Sequence, residues 1–408
     1  MNISNEIMAL ENELVLLRRD FHQHPELGFE EHRTAEHVIE YLKSCDLKPE
    51  RVTKTGVVAV IEGSRPGSTV LLRADMDALP IQEENELPYR SIIPNVMHAC
   101  GHDGHTAMLL VAAKILSRHR DQLRGKVVLV FQPNEENAGA LPMIRDGLLK
   151  NHPAKACFGL HLWPAIPTGK VGISAGPVMA GLLQFTIRVQ GKGGHTGYPH
   201  QTIDPVLCSA NIIQSLQSIQ TREIDVFEPT LIMIGKIYGG TASNIVPDKV
   251  VLEGTARYLH KNSTTAGRIV RDRMERLIAG ICNAHRTDYL LTIESESLAV
   301  ENDPRMAEIV RLAVLQTLGG ETNVVRNVST AGEDFSEFTS RIPGAFYFLG
   351  CGDGSSETSF PHHHPRFNID EQALKTGVEM HVRTAIAYLA KNESLFTDRN
   401  LLSKESMS

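Results

Sequence analysis

The chain has 408 residues, of which 42% are hydrophobic and 22% charged, with a formal net charge of −7. This length favours two domains, and the composition is that of a globular protein with a sizeable core. The acidic balance argues against a nucleic-acid or membrane partner, and no apolar run reaches the length of a membrane span. A charged N-terminal segment and six scattered cysteines without a CxxC pair favour a reduced, cytoplasmic protein.

In chain order, strand-like apolar runs alternate with amphipathic runs of helical length. Strands are predicted over residues 68–77, 125–136, 155–163 and 344–352, and a helix over residues 105–120. Alternation of this kind is typical of an α/β sheet that is covered by helices.

Between these elements, residues 182–297 follow a pattern of their own. It predicts a strand, a helix over residues 203–220, two strands, a helix over residues 262–285 and a last strand. This βαββαβ order is ferredoxin-like and can close its own core. We therefore expect a catalytic domain built from residues 1–181 and 298–408, with an α+β domain inserted between its two parts.

Several of the predicted strands of the catalytic domain end in side chains that can bind metal. These are Asp75 and Asp77, Glu135 and Glu136, His161, and His362, His363 and His364. Ligands in open α/β sheets bind beyond the carboxyl ends of the strands. The side chains are therefore expected to meet at one edge of the sheet.

The segment "MHACGHDGHTAM", residues 97–108, adds further donors directly before the predicted helix. Cys100 and His102 are separated by one glycine, and thiolate with imidazole suits Zn²⁺, Mn²⁺, Co²⁺ or Ni²⁺. The donors exceed one tetrahedral site, which favours a pair of metals about 3.5–4 Å apart. Of Glu135 and Glu136, one carboxylate can hold metal while the other accepts a proton from water as general base.

Other interpretations of these residues stay open at this point. Cys100 can be a buried apolar thiol, His363 a polar loop residue, and the Glu135–Glu136 pair the acidic start of a helix. The segment "GISAG", residues 172–176, matches the GxSxG motif of serine hydrolases. That motif requires a strand-to-helix turn, whereas Pro177 and a strand-like run follow here, so we do not expect a serine nucleophile.

A series of motifs along nearly the whole chain resembles the aminoacylase/carboxypeptidase metallohydrolases. They include "FHQHPELGFEEHRTA", "LLRADMDALPI", "HACGHDGHTAMLL", "FQPNEENAGA", "GLHLWP", "GGHTGYPHQTIDP", "GGTASNIVP" and "HHPRF". The branch they resemble most is that of hippurate hydrolase and the plant indoleacetyl-amino-acid hydrolases. The resemblance implies an α/β catalytic domain like that of dimetal peptidases, with a mixed sheet and flanking helices, and an inserted ferredoxin-like lid and dimerisation domain.

The resemblance also implies roles for individual residues. Two divalent metal ions per subunit would be held by Cys100, His102, Glu136, His161 and His363. Glu135 falls on the general base, and His195 on a lid residue that binds the developing oxyanion in the active site of a partner subunit. Asn244 and Arg257 fall on substrate contacts, and Asp77 on a residue that orients the metal site.

The activity implied is metal-dependent hydrolysis of an N-acyl-L-amino acid, of the hippurate or N-acetyl type, by a homodimer or a tetramer. A metallo-carboxypeptidase or dipeptidase on the same scaffold is the alternative. A metal-dependent binding protein without catalysis is a third interpretation, but such a protein is expected to have lost Glu135. Two departures from the branch, at residues 137–140 and in "AGEDF", are expected to reshape the acyl pocket without removing a donor.

Overall fold

The computed structural model describes the backbone of residues 3–405 and the side chains of residues 3–390. The chain divides into two compact units. The first consists of Met1–Gly176, Asn302–Asn327 and Glu337–Ser408, and the second of Pro177–Glu301 and Val328–Ser336. The second unit contains the predicted insertion together with residues 328–336, which the sequence interpretation leaves in the catalytic domain. Among the described residues, no helix is both long and apolar enough to span a bilayer.

Helices and strands alternate along the described chain. The α-helices are α1 (Ile3–Gln23), α2 (His32–Ser44), α3 (His102–Arg118), α4 (Ala140–Arg145), α5 (Leu148–Asn151), α6 (Pro205–Ser218), α7 (Ser263–His285), α8 (Pro304–Val314), α9 (Ser336–Thr339) and α10 (Gln372–Glu405). The strands are β1 (Glu50–Val52), β2 (Gly56–Glu62), β3 (Arg65–Asp75), β4 (Arg124–Gln132), β5 (Ala156–Pro167), β6 (Val171–Gly172), β7 (Gly176–Met179), β8 (Gly181–Gln190), β9 (Gly194–His195), β10 (Thr230–Gly239), β11 (Ile245–Val246), β12 (Lys249–Tyr258), β13 (Asp288–Ser297), β14 (Val300–Asn302), β15 (Val324–Val325) and β16 (Gly344–Gly352).

The first unit is built on one mixed sheet, with the strand order β1-β2-β4-β3-β5-β16-β6-β15. Strand β3 pairs in parallel with β4 and β5, and β16 pairs in parallel with β5. Strand β2 pairs antiparallel with β1 and β4. Because β3, β4, β5 and β16 run in the same direction, their carboxyl ends lie along one edge of the sheet, where ligands bind in such folds. The predicted mixed α/β architecture is confirmed.

The core of the first unit lies between this sheet and its helices. Central parallel strands are apolar on both faces, and all residues of β16 are buried. Helix α3 is buried through most of its length and packs against α1 and α10, and α10 also packs against β3. Helix α3 begins at His102, which is fully buried. The first turn of α3 therefore lies inside the protein rather than at its surface.

The second unit has its own antiparallel sheet, with the strand order β10-β12-β8-β13. Helices α6 and α7 pack against it, close to the two helices predicted for this segment. Along the chain the order is βαββαβ, and this connectivity is that of a ferredoxin-like unit. In β8 fully buried residues alternate with more exposed ones, so one face of the sheet packs against the helices. Strands β10 and β13 form the two edges.

Candidate metal centre and active site

Potential metal ligands of the first unit converge where its parallel strands end. Two groups of donor atoms share Cys100: Cys100 with His102 and His161, and Cys100 with Glu136 and His363. Within each group, the donor atoms lie within 4.8 Å of one another. A third group joins His102, Glu135 and Glu136 over the same range. The structure thus brings together all the ligands predicted from the resemblance, and it places the predicted general base, Glu135, beside them.

A left-handed glycine separates the first two donors. Gly101 has φ +92°, a conformation that residues with a side chain rarely adopt. Cys100 Sγ lies 3.4 Å from Nε2 of His161. Burial, reinforced by the carboxylates of Glu136 and Glu135, raises the pKa of the Cys100 thiol well above its ordinary value. A thiolate at this position therefore needs a cation beside it.

The two buried imidazoles of the cluster have defined tautomers. Nδ1 of His102 donates to the Asp77 carbonyl at 2.8 Å, and Nδ1 of His161 donates to the Leu162 carbonyl at 2.8 Å. In its neutral form each ring therefore carries its lone pair on Nε2. Among the described residues, Nε2 of His102 is buried without a hydrogen-bond partner. An unpartnered buried acceptor of this kind fits a metal cation.

The electrostatics at these two rings differ. Burial lowers the pKa of His161 well below its ordinary value, so its ring is neutral, as a metal ligand must be. At His102 burial also opposes the charged form, but Asp75 and Asp77 outweigh it and raise the pKa to about 10. The carboxylates around His102 therefore favour a positive charge at this point, which a bound cation would supply.

The Glu135–Glu136 turn is held by a single carboxylate. Asp77 accepts the backbone N–H of Glu135 at 2.9 Å through Oδ1 and that of Glu136 at 3.1 Å through Oδ2. The turn lies between two left-handed residues, Asn134 with φ +54° and Ala138 with φ +64°. Oε1 of Glu136 is buried, and among the described residues it lies 3.0 Å from Nε2 of His363 without forming a hydrogen bond. Asp77 thus orients this turn, as the resemblance implies, and leaves a carboxylate oxygen available to a cation.

The three consecutive histidines near the end of the chain have three different environments. Nε2 of His363 lies 3.0 Å from Oε1 of Glu136, and the His363 N–H donates to the Ala99 carbonyl at 2.8 Å. His363 adopts φ +64°, which is uncommon outside glycine and typical of residues held for a functional position. His362 instead donates to a backbone carbonyl, and His364 stacks on Phe360 with ring centroids 4.5 Å apart. The structure therefore places His363, rather than its neighbours, in the donor cluster.

Two buried aspartates near the donor cluster, Asp75 and Asp103, have buried partners that the sequence interpretation does not identify. Asp75 binds Nδ1 of His105 at 2.6 Å and Nη1 of Arg73 at 2.5 Å. Asp103 binds Nε of Arg18 and Nδ1 of His22, each at 2.8 Å. The second interaction ties the first turn of α3 to α1. Arg18 and His22 are four residues apart and so share one face of α1, which is the signal in the sequence that could have revealed this contact.

The remaining predicted site residues belong to the second unit. His195 lies on β9, and Asn244 immediately precedes its partner strand β11, so these two are neighbours. Nδ1 of His195 accepts the Gly197 N–H at 2.9 Å. Its Nε2 therefore carries the proton, and the ring is exposed and can donate a hydrogen bond. Arg257 donates to the Thr330 carbonyl at 2.8 Å.

Comparisons with known proteins agree with this geometry. A family model described as peptidase family M20/M25/M40 matches residues 71–387. An N-acyl-L-amino acid amidohydrolase of Geobacillus stearothermophilus is 43% identical over 310 residues, which cover 74% of this chain and 82% of that protein. Thermostable carboxypeptidase 1 of Saccharolobus solfataricus is 36% identical over 396 residues, which cover 95% and 98% of the two chains.

A solved structure supports the same conclusion. A dinuclear metal-binding peptidase of the M20 family from Bacillus subtilis superposes with a TM-score of 0.82 at 34% identity, covering 94% of this chain and 99% of the other. The resemblance inferred from the motifs is therefore confirmed, and so is the fold. Because the family model spans most of the chain and these relatives share more than 30% of their residues with it, the chain belongs to peptidase family M20/M25/M40.

Proposed function

We propose that this protein is a metal-dependent amidohydrolase that cleaves N-acyl-L-amino acids, of the hippurate or N-acetyl type, to an amino acid and a carboxylate. One observation carries the proposal: the carboxylate of Glu135 adjoins a cluster of thiol, imidazole and carboxylate donors at the carboxyl ends of parallel strands. The Geobacillus relative, named an N-acyl-L-amino acid amidohydrolase, supports the choice of substrate. A binding protein without catalysis would have no need of Glu135.

The donor set fits two divalent metal ions per subunit. The residues that would hold them are Cys100, His102, Glu136, His161 and His363. Mixed thiolate, imidazole and carboxylate ligands suit Mn²⁺, Zn²⁺, Co²⁺ or Ni²⁺. When bound, such ions supply Lewis acidity that polarises an amide carbonyl and acidifies a water.

The residues of the chain would then direct the proton and the substrate. Glu135 accepts the proton of the attacking water and delivers it to the leaving nitrogen, while Asp77 keeps the turn of Glu135 in place. His195 donates the hydrogen of Nε2 to the oxyanion of the tetrahedral intermediate in the partner subunit's site. Asn244 and Arg257 contact the substrate in this scheme.

A homodimer, or a tetramer built from such dimers, would bring His195 to a second subunit. Strand β10 offers a surface for that assembly, because it is an edge strand with exposed apolar side chains. These are Leu231, Met233, Ile237 and Tyr238. An exposed apolar edge pairs readily with a copy of itself about a two-fold axis. A cytoplasmic location is part of the proposal, since all six cysteines are free.

Turnover of matched substrates tests the function. We expect the protein loaded with Mn²⁺, Zn²⁺, Co²⁺ or Ni²⁺ to hydrolyse N-acetyl and N-benzoyl amino acids with kcat/KM about tenfold or more above that for dipeptides of the same C-terminal residue, a difference of about 1.4 kcal/mol in transition-state binding. The reverse preference would favour the carboxypeptidase or dipeptidase alternative, with which the name of the Saccharolobus relative agrees. Activity on neither class with any of these metals would contradict the proposal.

Substitution of Cys100 tests the metal ligands. The Cys100→Ser variant is expected to bind less metal and to bind it more weakly, because a serine hydroxyl does not replace a thiolate. Elemental analysis and competition with a chromophoric chelator measure the two effects. Cys157→Ser is the matched control, since Cys157 is also buried in the first unit but lies outside the donor groups. If both variants keep the stoichiometry and affinity of the unmodified protein, Cys100 is a core residue.

A further inference from the structure

Two histidines beside the donor cluster bind the backbone of the same residue, Leu162, one on each side of its Cα. The Leu162 N–H donates to Nε2 of His105 at 2.9 Å, and the Leu162 carbonyl accepts from Nε2 of His362 at 2.8 Å. The same carbonyl accepts from Nδ1 of His161, the predicted metal ligand, at 2.8 Å. We propose that His105 and His362 are positioning residues, which fix the backbone of Leu162 on both sides of its Cα and thereby set the tautomer and the direction of the His161 imidazole. The proposal rests on the proposed role of His161 as a ligand.

The backbone of Leu162 needs these side-chain partners because of where the strand pairing ends. The parallel pairing of β3 with β5 ends at Arg73 and Gly159, although β5 itself continues to Pro167. The N–H and the carbonyl of Leu162 lie beyond this last pair, and Leu162 is fully buried. Buried peptide groups require hydrogen-bond partners. Imidazoles supply them at the point where β3 no longer pairs with β5.

His105 connects the Leu162 N–H to β3. Because the Leu162 N–H is a donor, Nε2 of His105 must accept, and Nδ1 therefore carries the proton. That proton is donated to Oδ1 of Asp75 at 2.6 Å, while Oδ2 of Asp75 binds Arg73. His105 thus links the end of β3 to the Leu162 N–H, and on the other side of the Leu162 Cα the carbonyl of the same residue accepts from His161.

This arrangement also explains why His105 is not itself a ligand. Donor atoms of Asp75, His102 and His105 lie within 4.8 Å of one another, which by distance alone would suit a metal. Both ring nitrogens of His105 are already engaged, however, by Asp75 and by Leu162. Gly104 of α3 lies against β5, where a Cβ would lie 2.6 Å from Cδ1 of Leu162 and would displace that side chain.

The consequence for His161 is a fixed direction. With Nδ1 bound to the Leu162 carbonyl, its lone pair lies on Nε2, which is 3.4 Å from Sγ of Cys100. A Leu162 backbone that could rotate about its Cα would move this carbonyl and allow the ring to turn away from the donor cluster. Partners of metal-bound histidines typically contribute about 10- to 100-fold to metal affinity. His105 and His362 should therefore act on metal affinity without touching the metal.

Paired amide substitutions test His105. In His105→Gln the amide can reach the former position of Nε2 and accept the Leu162 N–H, whereas in His105→Asn it reaches only the position of Nδ1, towards Asp75. We expect about 10- to 100-fold weaker metal binding in His105→Asn, and near-normal binding in His105→Gln. Affinity for Co²⁺ is measured by chelator competition, with the thiolate-to-Co²⁺ charge-transfer band as a signature of the site. The control is His381→Asn, since the ring nitrogens of this buried histidine bind no described residue.

The same design applies to His362, which binds the Leu162 carbonyl. His362→Gln retains an N–H donor for the Leu162 carbonyl and should bind Co²⁺ nearly normally, whereas His362→Asn should lose affinity. If both histidines act through the backbone of Leu162, the losses in the His105→Asn and His362→Asn double variant will be less than additive in free energy. Equal affinity of the Asn and Gln variants at both positions would overturn the proposal, as would full additivity. Metal affinity is independent of turnover, so failure of the proposed amidohydrolase activity would not affect this test.

Discussion

Replacement of Glu135 by glutamine is expected to lower kcat by about 10²-fold or more while metal remains bound. Glutamine preserves the size of the side chain and the backbone hydrogen bond to Asp77, but it has no carboxylate to accept a proton from water. The measurement is steady-state hydrolysis of an N-acyl amino acid, with metal content determined on the same sample.

The neighbouring residue supplies a matched control for this experiment. Glu136 lies in the same turn, and its backbone N–H binds the same Asp77 carboxylate. Glu136→Gln is expected to lose metal affinity, because the Glu136 carboxylate belongs to the donor group that contains Cys100 and His363. Full activity of metal-loaded Glu135→Gln would show that the base has been assigned to the wrong residue.

Replacement of His195 by alanine is expected to lower kcat by about 10²–10³-fold, or about 2.7–4 kcal/mol, which is the usual effect of removing one oxyanion donor. The exposed ring, protonated on Nε2, is suited to this role. His200→Ala is the control, since His200 is an exposed histidine in the same segment to which no role is assigned. Wild-type kcat in His195→Ala would remove His195 from the mechanism.

Mixing two inactive variants tests whether the site is shared between subunits. His195→Ala chains are combined with Glu135→Gln chains under conditions of subunit exchange. In a heterodimer with shared sites, one site has both intact residues and the other has both defects. With random exchange about half of the dimers regain one good site, so activity should recover to about a quarter of wild type. No recovery despite demonstrated exchange would mean that His195 acts within its own chain or not at all.

Much of this architecture could be predicted from the sequence, because buried strands followed by polar donors have a strong local pattern. Asp75 is the last paired residue of β3, Glu135 follows β4 by three residues, and His161 lies two residues beyond the last pair of β5 with β3. The choice among the three consecutive histidines could not be made from residue type. It depends on the left-handed backbone of His363 and its bond to the Ala99 carbonyl, which are properties of the folded chain.

The role of His105 could not be predicted from the sequence either. Its position in a donor-rich motif is that of a ligand, and the spacing on α3 places it near His102. Whether its nitrogens are available depends on where the pairing of β3 with β5 ends, which strand propensity does not reveal. The grouping of residues 328–336 with the second unit is likewise a property of tertiary packing and has no signal in local periodicity.

Asp77 imposes a constraint on how this enzyme can evolve. Its main-chain carbonyl fixes the ring of His102, while its two carboxylate oxygens fix the backbone of Glu135 and Glu136. One residue thus sets the geometry of two proposed metal ligands and of the proposed proton acceptor. Selection for a different metal through changes at Asp77 would displace the base at the same time. A substitution at Asp77 therefore cannot change metal preference without also changing proton transfer. Adaptation of either property alone must proceed through other residues of the site.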